Sequence, residues 1–192
     1  MNATGFNSNF WQHLLINNRE NLPGFKRWVF SSGMLFNSLE KWWGDEKSRP
    51  GAHQGIDLCF FEDNASHVNN VDITLKIPAA FSGKIVKIGK DFLGRSIYIS
   101  HHIYSDDHRQ LYSVFGHTNP FPAVSVGKKV AEGEPIAWIA RVPQEANILP
   151  HLHITFAWIP VSFNPEHLNW RNLANDPLVT LIDPFSVLSI PG

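Results

Sequence analysis

The sequence predicts a mainly β protein with an antiparallel sandwich or barrel core and a partly helical N-terminal extension. Three observations carry this. From about residue 75 onward, short runs rich in Ile, Val and aromatic residues follow one another, and Gly, Pro, Asn and Asp punctuate them. No helical pattern intervenes between those runs, which favours a sandwich or barrel over alternating strands and helices. The apolar residues with helical spacing lie instead near the N-terminus.

Taken in order, Phe10, Trp11, Leu14 and Leu15 have the spacing of one helix face, Asn7-Ser8-Asn9 supplies candidate caps, and Pro23-Gly24 is the expected stop. The stretch Trp28 to Phe36 fits helix or strand and is broken at Ser31-Ser32-Gly33. Trp42-Trp43-Gly44 precedes a polar turn from Asp45 to Gly51. Paired tryptophans more often pack a core or cover its edge than line a groove, and they are read that way here. The expected strands are 76–80, 83–89, 95–102, 110–117, 123–126, 135–140 and 151–158, with Gly83, Gly89, Gly94, Gly127 and Gly133 at the turns. The segment 159–192 carries prolines at 160, 165, 177, 184 and 191, so it reads as loops that wrap the domain, with a helical turn at 165–175. The organisation expected is one domain, 49–192, with residues 1–48 as an extension packed on it.

Composition excludes several functions. Apolar residues make up 43% and charged residues 17%, the balance of a globular chain and not of a disordered one. A net charge of -1 without a basic block gives no nucleic-acid surface. No apolar run is long enough to span a bilayer. Residues 1–20 lack a basic segment followed by a continuous apolar one, so no secretory signal is visible. A cytoplasmic protein, a processed mature form and export by another route all remain open. Cys59 is the single cysteine, which rules out an internal disulfide; it reads as a small buried apolar residue.

Two stretches concentrate the chemistry: His53-Gln54-Gly55-Ile56-Asp57 and His151-Leu152-His153. Residues i and i+2 of a strand share a face, and Ile154, Thr155 and Phe156 favour a strand, so both imidazoles of the second stretch can address one site. A helix would set them about 200° apart. His53 and Asp57 would lie about 13 Å apart on a straight strand, so the chain must bend between them, and Gly55 permits it. His, Asp and His form a ligand set suited to a catalytic zinc, which takes three protein ligands and leaves a position for water. The remaining histidine of these stretches, with His117 between them, would then handle protons. The other histidines read as solvated: His101, His102 and His108 beside the polar turn Ser105-Asp106-Asp107, and His13, His67 and His167 elsewhere. Glu62 and Asp72 read as surface charge.

The intervening sequence resembles the lysostaphin-type (LytM-like) zinc endopeptidases. The resemblance runs from Arg49 through HQGIDL at 53–58, IPAAFSGKIVKIG at 77–89, GRSIYISHH at 94–102, LYSVFGHT at 111–118 and VSVGKKVAEGEPIAWI at 124–139 to HLHITF at 151–156, with Asp183-Pro184 near the end. It implies one zinc ion held by His53, Asp57 and His153, with His117 and His151 as the catalytic pair. It further implies a core of the lysostaphin type, hydrolysis of an amide bond in peptidoglycan or another peptide, and a place in the cell envelope. The chain departs from the pattern around His117, where Phe115-Gly116-His117-Thr118 stands in place of the usual Tyr before and Leu after, in the loop from Arg141 to Pro150, and in a longer segment 59–76. Such loops shape substrate choice. A non-catalytic binding or regulatory module on the same fold is the alternative. A lipoyl- or biotinyl-type carrier, suggested by residues 126–133, lacks the modifiable lysine hairpin.

Overall fold

The computed structural model describes residues 7–44 and 47–188. The first six residues of the extension, Asp45 and Glu46 of the polar turn, and Pro191 lie outside the described residues. Helix α1 (Phe10–Asn17) leads to strand β1 (Phe25–Val29) and a 3-10 turn at Ser32–Met34. Four short strands follow: β2 (Ile56–Leu58), β3 (Phe60–Asp63), β4 (Val68–Asn70) and β5 (Lys76–Pro78). A meander of long strands comes next, β6 (Gly83–Lys90), β7 (Arg95–Tyr104) and β8 (Arg109–Pro120). The chain then forms β9 (Lys129–Val130), β10 (Pro135–Ile139), β11 (Leu152–Pro160), helix α2 (Trp170–Asn175) and β12 (Thr180–Ile182).

The larger sheet runs β12-β11-β8-β7-β6-β9, with β10 bridging β8 and β5 and β2 paired to β11; β1, β3 and β4 form a smaller sheet. The strand pairs in both sheets are antiparallel. This is the mainly β, antiparallel architecture that the strand spacing predicts. Period-two alternation divides the residues of the larger sheet between two apolar layers. Ile97, Ile99, Phe115, Ile154 and Phe156 join Phe10, Trp11 and Leu14 of α1 in one layer. Tyr98, Tyr112, Val114, Ala157 and Ile159 form the other, covered by Leu168 and Leu173 of the C-terminal segment.

Four expectations change. Helix α1 stops at Asn17, before Pro23-Gly24. Asn18 ends it, because its side-chain amide donates to the Leu14 and Lys76 carbonyls while its side-chain oxygen accepts from Lys76 N. Residues 123–126 form turns and no strand, since Pro122 has no N–H to give a ladder and Gly127 takes a φ of +93°; strand pairing resumes at β9. His101 is fully buried on β7, between the Ser82 carbonyl (3.1 Å) and Ser113 Oγ (2.9 Å), whereas His102 and His108 are exposed. Glu62 is buried too, paired with Lys26 (2.6 Å) and Arg27 (2.5 Å) across the smaller sheet.

Candidate active site

Strand register assembles the site. Asp57 on β2 is the direct partner of His153 on β11, and His153 is the partner of Gly116 on β8. Ile56 and Leu58 point into the core, as do Leu152 and Ile154, so Asp57 and His153 share the opposite face. His117 follows Gly116, and His53 enters from the loop before β2. All five residues singled out in the sequence come together, none more than 7% exposed.

The bend between His53 and Asp57 has a different cause from the one expected. Gly55 shows no left-handed backbone; a Cβ there would meet the Ile154 carbonyl oxygen at 2.0 Å and Thr155 Oγ1 at 2.7 Å. Glycine lets the loop press against β11, which brings His53 Nε2 to 3.2 Å from Asp57 Oδ1. The segment before the site holds His53 from the other side: Asn37 N donates to the His53 carbonyl (2.9 Å) and His53 N to the Ser38 carbonyl (3.0 Å).

Hydrogen bonds assign the ring nitrogens. His53 Nδ1 donates to the Leu35 carbonyl (3.0 Å) and His151 Nδ1 to the Leu149 carbonyl (2.8 Å), which leaves each Nε2 bare. Thr155 Oγ1, 2.8 Å from His153 Nε2, can accept its proton and leave Nδ1 bare. His53 Nε2, His153 Nδ1 and Asp57 Oδ1 then face one another, with His153 Nδ1 at 3.1 Å from His53 Nε2 and 2.8 Å from the carboxylate oxygen. Bare lone pairs packed this closely repel unless a cation sits among them. These residues form the one group among those described whose ligand atoms could hold a metal ion together, and two imidazoles with a carboxylate suit zinc. His151 Nε2 faces the same oxygen from 3.8 Å. The other carboxylate oxygen, Oδ2, is satisfied separately, by Trp42 Nε1 (2.8 Å) and Arg49 Nη2 (3.3 Å).

Electrostatics keep these groups ready to bind a cation. Burial alone would push the Asp57 carboxyl up, but the imidazoles of His151, His153 and His53 outweigh it and hold the carboxyl well below the usual range. Burial pushes His153 down to about 4 against the opposing pull of Asp57, and His151 likewise to about 4. Both imidazoles are therefore neutral near pH 7, as metal ligation and proton acceptance require.

His117 is held differently. It sits at a bulge where Gly116 and His117 together oppose Ser96, and its φ is +60°, a strained value for a residue with a side chain. Its ring centroid lies 4.7 Å from that of His151 and 5.9 Å from that of His153. Asp91, in the β6–β7 turn, accepts from His117 N at 2.9 Å.

The sequence reading missed the residues around the five. Trp42 and Trp43, read as core or edge packing, line space beside the site: Trp42 sets its ring edge-on to His151 at 5.0 Å, and Trp43 stacks on Arg49 at 4.4 Å. Trp170 of α2 stands edge-on to His153 at 4.9 Å and donates to Ser96 Oγ at 3.0 Å. A Cβ on Gly116 would meet the Trp170 ring at 3.0 Å, so glycine there makes room for it. A groove of about 820 Å³ takes in His53, Asp57, His117, His151 and His153 and is lined also by Lys41, Trp43, Trp170 and Ala174. A second cavity of about 510 Å³, lined by Trp42, Trp43, Phe60, Ile148 and Leu149, adjoins it at Trp43. Of the missed residues, Thr155 carried a usable signal, since it stands two after His153 and shares its face.

Comparison with known proteins identifies a family. The pattern of peptidase family M23 matches residues 52–165. No curated protein matches the chain. Among solved structures, lysostaphin in solution is 20% identical, covering 84% of this chain and 62% of its own, with a TM-score of 0.46. LytU is 18% identical, covering 86% and 98%, with a TM-score of 0.41. A zinc-containing peptidase from Vibrio cholerae is 17% identical, covering 70% and 36%, with a TM-score of 0.42. The chain thus spans less than two thirds of the length of lysostaphin and of the Vibrio peptidase. The family pattern covers more than half of the chain and takes in His53, Asp57, His117, His151 and His153; this protein belongs to peptidase family M23, with the lysostaphin-like metallopeptidases.

Proposed function

We propose that this protein is a zinc-dependent metalloendopeptidase that hydrolyses an amide bond in peptidoglycan peptides. One zinc ion is held by His53, Asp57 and His153, with His117 and His151 as the catalytic pair. Residues 49–192 act as the catalytic domain, and residues 1–48 pack on it and complete the site. The observation that carries this reading is the convergence of His53 Nε2, His153 Nδ1 and Asp57 Oδ1 beside two further imidazoles that are not needed to hold the ion. Zinc bound there supplies positive charge that acidifies a water molecule and polarises the scissile carbonyl.

The protein's own groups do the rest. Trp42 and Arg49 occupy Asp57 Oδ2 and leave Oδ1 for the cation. His117 and His151, neighbours across the groove, accept the proton of the attacking water, stabilise charge on the carbonyl oxygen, and return a proton to the leaving amine. Trp42 and Trp170 pack edge-on against His151 and His153, both of which are buried, and low exposure to water strengthens the electrostatic interactions of these two imidazoles. Acting on peptidoglycan places the protein in the cell envelope. Among the described residues no helix is long and apolar enough to cross a membrane.

The test is digestion of purified peptidoglycan with and without a chelator, identifying the cut bond by mass spectrometry, alongside metal analysis of the protein. One zinc per chain and chelator-sensitive cleavage are expected. A protein that binds zinc tightly and cleaves nothing would instead be a binding or regulatory module of this fold; one that binds no zinc would overturn the reading.

A further inference from the structure

Asp91 is a buried carboxylate outside the metal group, with its side chain fully enclosed. Its Oδ1 accepts from Leu93 N (3.0 Å) and Gly94 N (2.6 Å), the ordinary business of an aspartate that opens a turn. Its Oδ2 does something a turn does not need: it accepts from His117 N (2.9 Å) and from Ser96 Oγ (2.7 Å). That bond anchors the bulge at its strained residue. The His117 ring then lies beside the same carboxylate, with Nδ1 3.3 Å from Oδ1, a contact that falls short of an aligned hydrogen bond; among the described residues this buried nitrogen has no other hydrogen-bond partner. Contacts of this kind in a free enzyme often tighten when substrate is bound.

We propose that Asp91 is a positioning residue for His117: it fixes the bulge and holds the proton on His117 Nδ1, so that Nε2 is the nitrogen presented to the reacting proton. This rests on the reading of His117 as a catalytic residue. It also divides the labour of the two imidazoles by their partners. His151 Nδ1 bonds a neutral carbonyl, whereas His117 Nδ1 faces a carboxylate, which stabilises the imidazolium. His117 is thus the base. As the oxygen of the attacking water bonds to the carbonyl carbon, the proton it sheds goes to His117 Nε2. The same proton passes to the amide nitrogen as the C–N bond breaks. Asp91 neither gains nor loses a proton. Burial alone would raise its carboxyl, but His117 and Ser96 outweigh that and keep it well below the usual carboxylate range.

The experiment uses the zinc-loaded full chain. Nitrogen-15 NMR of the imidazoles reports which nitrogen of His117 carries the proton, and soluble cross-linked muropeptides serve as substrate. In the unaltered protein we expect His117 protonated at Nδ1. In Asp91→Asn we expect a mixture of tautomers and a kcat lower by about 100-fold or more, with KM little changed. A simple loss of turn stability would not move the tautomer and kcat together at constant KM. A His117 protonated at Nε2 in the unaltered protein overturns the proposal and requires no variant to fold. So does an Asp91→Asn protein with unaltered tautomer and rate. If the unaltered protein cleaves no muropeptide, the peptidase reading fails on that substrate, while the imidazole spectrum still decides the role of Asp91.

Discussion

Asp57 divides its two carboxylate oxygens between two tasks. Oδ1 faces His53 and His153; Oδ2 takes the Trp42 indole N–H and the Arg49 guanidinium. Partners of this outer kind orient a ligand and typically matter 10- to 100-fold for metal affinity. Trp42→Phe keeps the ring against His151 and removes only the N–H donor, so zinc affinity is expected to fall by about 10-fold or more with the fold intact. Competition against a chromophoric chelator measures it, and unchanged affinity would mean that Arg49 alone suffices. His153→Ala should lose zinc and hydrolysis together, whereas His117→Ala should keep zinc and lose hydrolysis. Metal analysis beside a cleavage assay separates the two, and loss of zinc from His117→Ala would move that residue into the ligand set. The sequence disclosed these histidines and Asp57 because their chemistry is local: two short stretches and one strand alternation. Trp42 and Asp91 stayed hidden because the contacts that define them, to Asp57 and to His117, span 15 and 26 residues and arise only from the fold.

The elements that position the site depend on close approach more than on hydrophobic pattern. The loop before β2 can lie against β11 because Gly55 has no side chain, and the β6–β7 turn can lie under β8 because a Cβ on Gly94 would meet Thr118 O at 2.9 Å and Ala140 Cβ at 2.5 Å. Gly55→Ala sets a methyl against a backbone carbonyl that cannot swing away. It should cost about 1–3 kcal/mol of stability and also weaken zinc binding, because His53 is carried away from Asp57. Denaturant unfolding and a zinc titration check the two effects. A destabilised variant with unchanged zinc affinity would show that the loop bends without displacing His53. The same contrast explains which elements were legible. Strands β6, β7, β8 and β11 announce themselves by alternation and bounding turns. Residues 123–126 have the composition of a strand, but Pro122 and Gly127 turn the backbone there. His101 looked solvated because the next residues are polar, yet strand alternation puts it inside, bonded to Ser82 and Ser113.

Across the whole molecule, the groove is lined by residues within 52–165 and equally by residues outside that stretch, Lys41, Trp43 and Arg49 before it and Trp170, Ala174 and Leu181 after it. The core follows the same plan, since Phe10, Trp11 and Leu14 of α1 pack against the larger sheet. Of the imidazoles that this molecule encloses, His101, His151 and His153 are each pushed by burial to about 4 from an ordinary value near 6.5. The unfolded chain therefore binds protons at these positions between about pH 6.5 and pH 4 while the folded chain does not. Stability is present in full above that window and is lost as pH falls through it, by up to about 1.4 kcal/mol per pH unit for each histidine. Three such groups together draw on a large part of the margin of an ordinary domain, so the metal-free protein should lose much of its stability as pH falls toward 4. Zinc, which binds only the deprotonated ligands of the folded state, should hold the fold together to lower pH. Denaturant unfolding in chelator from pH 7.5 downward, repeated with saturating zinc, measures both effects. A metal-free protein whose unfolding midpoint stays flat between pH 7 and pH 5 would show that these imidazoles reach water or a proton without the fold opening.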